Sequence, residues 1–99
     1  MKNIITSLST VQRNKEMVTS NIDGEIVMMS VESGEYYGLD EIGSRIWEII
    51  ENKIKVDELI TRLLDEFEVD KTICENDTLD FLNELLSKNL ISLVSNGNT

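Results

Sequence analysis

The sequence predicts an α+β fold of winged helix-turn-helix type, a three-stranded antiparallel meander followed by three helices. Three observations lead there. Residues 17–39 alternate short β-prone runs with Asp-Gly and Ser-Gly turns. Residues 40–88 carry apolar side chains at helical spacing. The connections are short, and 99 residues give room for one domain built around one core.

The first 15 residues carry only Ile4, Ile5, Leu8 and Val11 as spaced apolar positions. They fit a loose strand or a helix turn and are left undefined. A single folded domain is expected over residues 16–93, with 94–99 a disordered tail. From Met17 to Ile22 a strand leads into Asp23-Gly24, the strongest two-residue hairpin signal because both turn positions need positive φ. That turn pairs Ile22 with Glu25 and Ser20 with Val27. A second turn at Ser33-Gly34 pairs Glu32 with Glu35 and Val31 with Tyr36, leaving the strand Glu35–Leu39 short and at an edge.

Asp40 suits a helix N-cap, and Ile42, Ile46, Ile49 and Ile50 form the apolar face behind it, with Trp47 beside them. A second helix starts after Val56, where Asp57 and Glu58 complement its positive end. Leu59, Ile60, Leu63, Leu64 and Phe67 keep helical spacing through it. Residues 69–72 read as a connector. The third helix spans about 73–88, and Asn89 suits the left-handed position past its end. Leu90, Ile91 and Leu93 read as a short strand or a packed tail.

Composition removes several function classes. The chain has no histidine, no proline and a single cysteine. It therefore lacks an imidazole base, a Cys-His or Ser-His pair, a thiolate zinc site and an internal disulfide. Nine basic against 19 acidic residues give a net charge of −10, which repels phosphate backbones. No apolar run approaches the ~20 residues of a membrane span, and residues 1–15 lack the core of a signal peptide. What remains is a soluble, cytoplasmic, acidic binding module or a small enzyme of an unusual kind; the expectation is the module, without cofactor, metal or catalytic residues. Asp65 and Glu66 form an acid pair of the kind that chance supplies among 19 carboxylates. Cys74 reads as a buried structural thiol.

Two features remain. On the third helix Leu79, Leu82 and Leu86 form one stripe, and Cys74, Thr78, Phe81 and Leu85 a second beside it. Together they span roughly 160°, wider than the ~100° face a helix lays on a core. Either this helix packs on both neighbours, or the Phe81 side lines a groove. The second feature is the edge strand. Its unpaired main-chain groups can take up another strand, unless shortness and the charges of Glu32 and Glu35 blunt it. Tyr36 and Tyr37 point to opposite faces, one to the core and one outward. Glu75, Asp77, Asp80 and Glu84 along the third helix argue against a DNA-reading winged helix. An acyl carrier protein, also small and acidic, needs Asp-Ser-Leu at a helix start, which Asp40-Glu41-Ile42-Gly43-Ser44 lacks.

The segment Glu35-Tyr-Tyr-Gly-Leu-Asp-Glu-Ile-Gly-Ser-Arg-Ile-Trp-Glu resembles the signature of the PqqD-like peptide chaperones, or RiPP recognition elements. There a strand ending in Tyr-x-x-Leu precedes a helix with Gly-x-x-Ile-Trp. Val56–Phe67 resembles the family's second helix. Asp77, Phe81-Leu82 and Leu85, closing on Leu90-Ile91, resemble its third. Asp40 stands where Asn is frequent and Asn89 where Gly is common, and both keep the local backbone.

The resemblance, over residues 16–93, implies a protein that binds the leader segment of a ribosomal precursor peptide and delivers it to a modifying enzyme. The leader is implied to add as a strand along Glu32–Gly38. The implied peptide-binding residues are Val31, Glu32, Glu35, Tyr36, Tyr37, Gly38, Cys74, Asp77, Thr78, Phe81, Leu82 and Leu85, with Asp77 facing a basic leader residue. A free-standing chain of this size is most similar to the recognition proteins of lasso-peptide clusters, whose partner is a separate leader peptidase. The alternative is a chaperone for a radical SAM enzyme, and neither partner set includes nucleic acid or membrane.

Overall fold

The computed structural model describes residues 5–14, 17–23, 25–30 and 34–94. In chain order the elements are β1 (Thr10–Arg13), β2 (Met17–Ile22), β3 (Glu25–Ser30), β4 (Tyr36–Gly38), α1 (Glu41–Ile49), β5 (Ile54–Lys55), α2 (Val56–Glu66), α3 (Lys71–Ser87) and β6 (Ile91–Leu93). The expected meander of β2, β3 and β4 is present, and the three helices follow it. A second small sheet, in the order β5-β1-β6, takes the strand alternative left open for the N-terminal segment and for Ile91–Leu93, while β5 and the pairing of the three lie outside what the periodicity predicts.

The first hairpin keeps the predicted register, with Ile22 opposite Glu25 and Ser20 opposite Val27. Asp23 sits at φ 54°, the left-handed backbone its turn requires. The second hairpin differs. Met29, not Val31, lies opposite Tyr36, and five residues separate β3 from β4. The shift is by two, so every side chain keeps its face: alternation fixes register only modulo two, and the loop decides the rest. Val31, Glu32 and Ser33 lie outside the described residues.

The second sheet is organised by β1, the segment left undefined above. Val11 is fully buried between Ile54 of β5 and Leu93 of β6. The carbonyls of Ser9 and Ser7 accept from the Val56 and Asp57 N–H groups. These groups open α2, where Lys55 provides no side-chain cap. Ile5 is buried, and its N–H donates to Asn83 Oδ1 at 2.8 Å.

The core lies between α1, α2, α3 and the inner face of the meander. Ile46, Trp47 and Ile50 of the α1 region, Leu59 and Leu63 of α2, and Leu82 of α3 are essentially inaccessible. Each such side chain contributes about 1.5–3 kcal/mol through burial. Arg13 spans β1 and α1, its guanidinium 5.3 Å from the Trp47 ring centroid and its Nη1 donating to the Trp47 carbonyl. The α3 helix starts at Lys71, two residues before the predicted start, because Asp70 caps it by accepting from Ile73 N–H at 3.0 Å. Asn89 adopts φ 62° beyond its end, as predicted. The tail residues 95–99 lie outside the described residues. Among the described residues no helix is long and apolar enough to cross a membrane. Nor do three or more His, Cys, Asp or Glu gather there to hold a metal.

Candidate functional site

The site begins at β4. Among the described residues it pairs only with β3, in a sheet ordered β2-β3-β4, so its other side is an edge. Leu39 N–H donates to the Ile26 carbonyl at 2.9 Å. Antiparallel pairs alternate between bonded and non-bonded, so Tyr37 bonds inward to Met28, while Tyr36 and Gly38 turn their main-chain groups outward. Two residues of the expected Glu32–Gly38 stretch thus present an edge suited to a further strand.

The side chains along this edge divide as alternation requires. Tyr36 is 72% exposed and lies over the outer sheet face, in a hollow shared with Ser20, Val27 and Met29. Tyr37 faces inward and packs against the core. Its hydroxyl donates to Glu35 Oε1 at 2.6 Å, and the Lys88 ammonium lies 5.5 Å from its ring centroid. Hence Tyr36 offers the edge its main chain, and its ring looks away from the helices.

Behind β4 the chain enters α1 through Asp40. Its Oδ1 accepts from Gly43 N–H at 2.7 Å, which caps the helix and holds the carboxylate in place. Ser44, buried in the next turn, accepts from Ile26 N–H at 3.2 Å and donates to the Leu39 carbonyl at 3.3 Å. One hydroxyl therefore locks the meander to α1. Gly43 borders the space beyond and lets Phe81 of α3 come close: a β-carbon there would stand 3.5 Å from Phe81 Cζ and 3.1 Å from Asp40 Oδ1.

That space is a groove of about 190 Å³ between the start of α1 and the first half of α3. Ile42, Gly43 and Ile46 line one wall, Cys74, Thr78 and Phe81 the other, and Val69 and Ile73 the rim, with Asp40 and Asp77 as its carboxylates. A volume near 150 Å³ accepts a benzene ring, so the groove accommodates one ring or branched aliphatic side chain. Ile73 is 59% exposed and Val69 37%, an apolar rim with no role in the core. Cys74 Sγ lies 3.9 Å from Thr78 Oγ1 within the wall.

Four of the expected residues, Cys74, Asp77, Thr78 and Phe81, meet in this groove. Leu82 and Leu85 do not. They are 0% and 4% exposed and belong to the core, because their side of α3 faces the rest of the bundle. The over-wide apolar face of α3 thus serves both purposes: it packs centrally and also walls a groove. Val31 and Glu32 lie outside the described residues. Sequence reasoning missed Asp40, Ile42, Gly43, Ile46, Val69 and Ile73 as lining. Only Val69 and Ile73 carried a signal, as apolar residues off the core stripes.

Comparison with known proteins follows from this geometry. Residues 25–91 match the family described as coenzyme PQQ synthesis protein D (PqqD). No curated protein matches the chain. Among solved structures, TbiB1 in complex with the TbiA(beta) leader peptide is similar at 33% identity and a TM-score of 0.75. The match covers 86% of this chain and 99% of that one. Lasso peptide synthetase B1 complexed with the leader peptide is similar at 21% identity and a TM-score of 0.66, over 83% and 96% of the two chains, a likeness of fold.

Proposed function

This chain belongs to the PqqD family, and from that premise we propose that it is a non-catalytic recognition module for the leader segment of a ribosomal precursor peptide. The leader adds as a strand along β4 and sets an apolar side chain into the groove beside Phe81, Thr78 and Cys74. The module then presents the bound leader to a separate leader peptidase in lasso-peptide maturation, in the cytoplasm. Main-chain bonds supply affinity in this mode, and the pocket beside the edge supplies selectivity.

The observation that carries this reading is the juxtaposition of an open edge at Tyr36 and Gly38 with the apolar groove walled by Gly43 and Phe81. The similarity to a 33% identical chain whose structure holds a leader peptide supports the same assignment. The second reading is a chaperone for a radical SAM enzyme, favoured by a family description that names coenzyme PQQ synthesis. Both readings leave the chemistry to a partner.

The test is a titration of the intact chain with the fluorescein-labelled leader of the precursor encoded beside its gene. A saturable rise in anisotropy with micromolar or tighter affinity, lost in Phe81→Asp, is expected. A flat titration against the intact, folded chain overturns the reading. Neighbouring genes separate the two versions: a peptidase with an asparagine-synthetase-like enzyme marks the first, a radical SAM enzyme the second.

A further inference from the structure

The groove's surroundings are asymmetric in charge. Asp77 lines it, and Asp80 and Glu84 follow at the i+3 and i+7 positions that place them on the same side of α3. All three are exposed, and among the described residues no ion pair engages any of them. Three cations are engaged elsewhere, Arg45 by Glu66 and Glu48, Arg13 by Glu51 and the Trp47 ring, and Lys88 by the Tyr37 ring, whereas Lys71 in the first turn of α3 makes no ion pair among the described residues. Asp40, the other carboxylate at the groove, is held by its cap bond.

These contacts also give the site a direction. Tyr37 sits by Lys88 near the end of α3, whereas Asp40, just past β4, shares the groove with Asp77 near its start. The edge strand therefore runs opposite to α3. Its entry lies beside a cation and its exit beside two carboxylates.

We propose that the groove selects extended peptides in which a lysine or arginine flanks the apolar anchor, the cation meeting Asp77 at the end of the site beside the exit of β4. The inference rests on the leader-binding reading and specifies the chemistry of the leader that reading leaves open. An apolar groove alone accepts any side chain that fits; the carboxylate beside it rejects acidic segments and fixes which end of the peptide lies at Asp77. Asp80 and Glu84 extend the negative field along α3 and steer basic segments toward it.

The experiment selects binders to the full-length chain from a random peptide library, then titrates the enriched peptides in labelled form at low and physiological salt. Expected are peptides with Lys or Arg within two positions of an apolar residue, and binding that weakens with salt. Asp77→Asn should weaken binding roughly fivefold, as for a partly exposed ion pair. Asp77→Lys should enrich acidic residues at the same place, and Glu58→Gln, the same charge change on α2, should alter nothing. Peptides that bind, and are lost in Phe81→Asp, yet show no basic enrichment and no response to Asp77→Asn, overturn this inference and leave leader binding standing. If no peptide is enriched, or binders ignore both Phe81→Asp and Tyr36→Pro, the leader-binding reading falls and this inference with it.

Discussion

Phe81 packs against Gly43 at the side of the groove, with Phe81 Cζ 3.5 Å from the point a Gly43 β-carbon would occupy. The contact joins α3 to the first turn of α1 and closes one side of the recess lined by Ile42, Ile46, Cys74 and Thr78. Replacing Phe81 by Ala removes one wall of that recess and part of a ring packed against the core. The expected cost is about 1–3 kcal/mol of stability, with leader binding weakened by more than tenfold. Urea unfolding followed by Trp47 fluorescence, beside a peptide titration at low denaturant, separates the two effects.

Adjacent prolines in β4 should behave differently. Tyr36 directs its N–H to the open edge, so Tyr36→Pro leaves the ladder to β3 intact and removes a donor from the incoming strand. Tyr37→Pro removes a bond to Met28 from a sheet that has three strands among the described residues and should destabilise the fold by about 1–3 kcal/mol. Circular dichroism should show a native spectrum for the first variant, with peptide binding lost. A Tyr36→Pro protein that binds leader as the parent does contradicts strand addition.

Ser44 is the hydroxyl on which the site's alignment depends. Ser44→Ala leaves the Ile26 N–H without its partner and removes a donor from the Leu39 carbonyl, in a buried setting. The expected loss is about 1–3 kcal/mol. Faster amide exchange at Ile26 should accompany it, measurable by NMR.

Arg45 binds Glu66 through two hydrogen bonds, Nε to Oε1 at 2.7 Å and Nη2 to Oε2 at 2.8 Å, tying α1 to the end of α2. The guanidinium holds the Glu66 carboxyl below its ordinary range, and the carboxylate raises the Arg45 pKa in turn. A depressed folded-state pKa stabilises the fold above the unfolded value, ~4.3 for a glutamate. That stabilisation is lost as pH falls through the folded pKa. The melting temperature of Arg45→Met should therefore lie below the parent's at neutral pH, and the gap should close in acid. A gap of constant size across this range contradicts the assignment.

Much of the architecture was legible because it is written in local periods. The register of the first hairpin with Asp23 left-handed, the Asp40 cap, the buried Trp47 and the left-handed Asn89 each depend on a few neighbouring residues, and each appears as predicted. The second hairpin was legible only in which face each residue takes. Four of the groove's ten lining residues, Asp40, Ile42, Gly43 and Ile46, were not legible as lining, since Ile42 and Ile46 read as core whether or not a recess adjoins them.

The sequence by itself determined the α+β order, the inward and outward faces of the meander, and the breadth of the apolar surface on α3. It also determined, through the segment from Tyr36 to Trp47, the family to which the chain belongs. Only the tertiary structure decided how that surface is divided, with Leu82 and Leu85 in the core and Cys74, Thr78 and Phe81 in the groove. It alone assembled β1, β5 and β6, three short segments far apart in the chain. The reason is physical: helical and strand periods are properties of neighbours along the chain, whereas burial depends on what arrives from elsewhere.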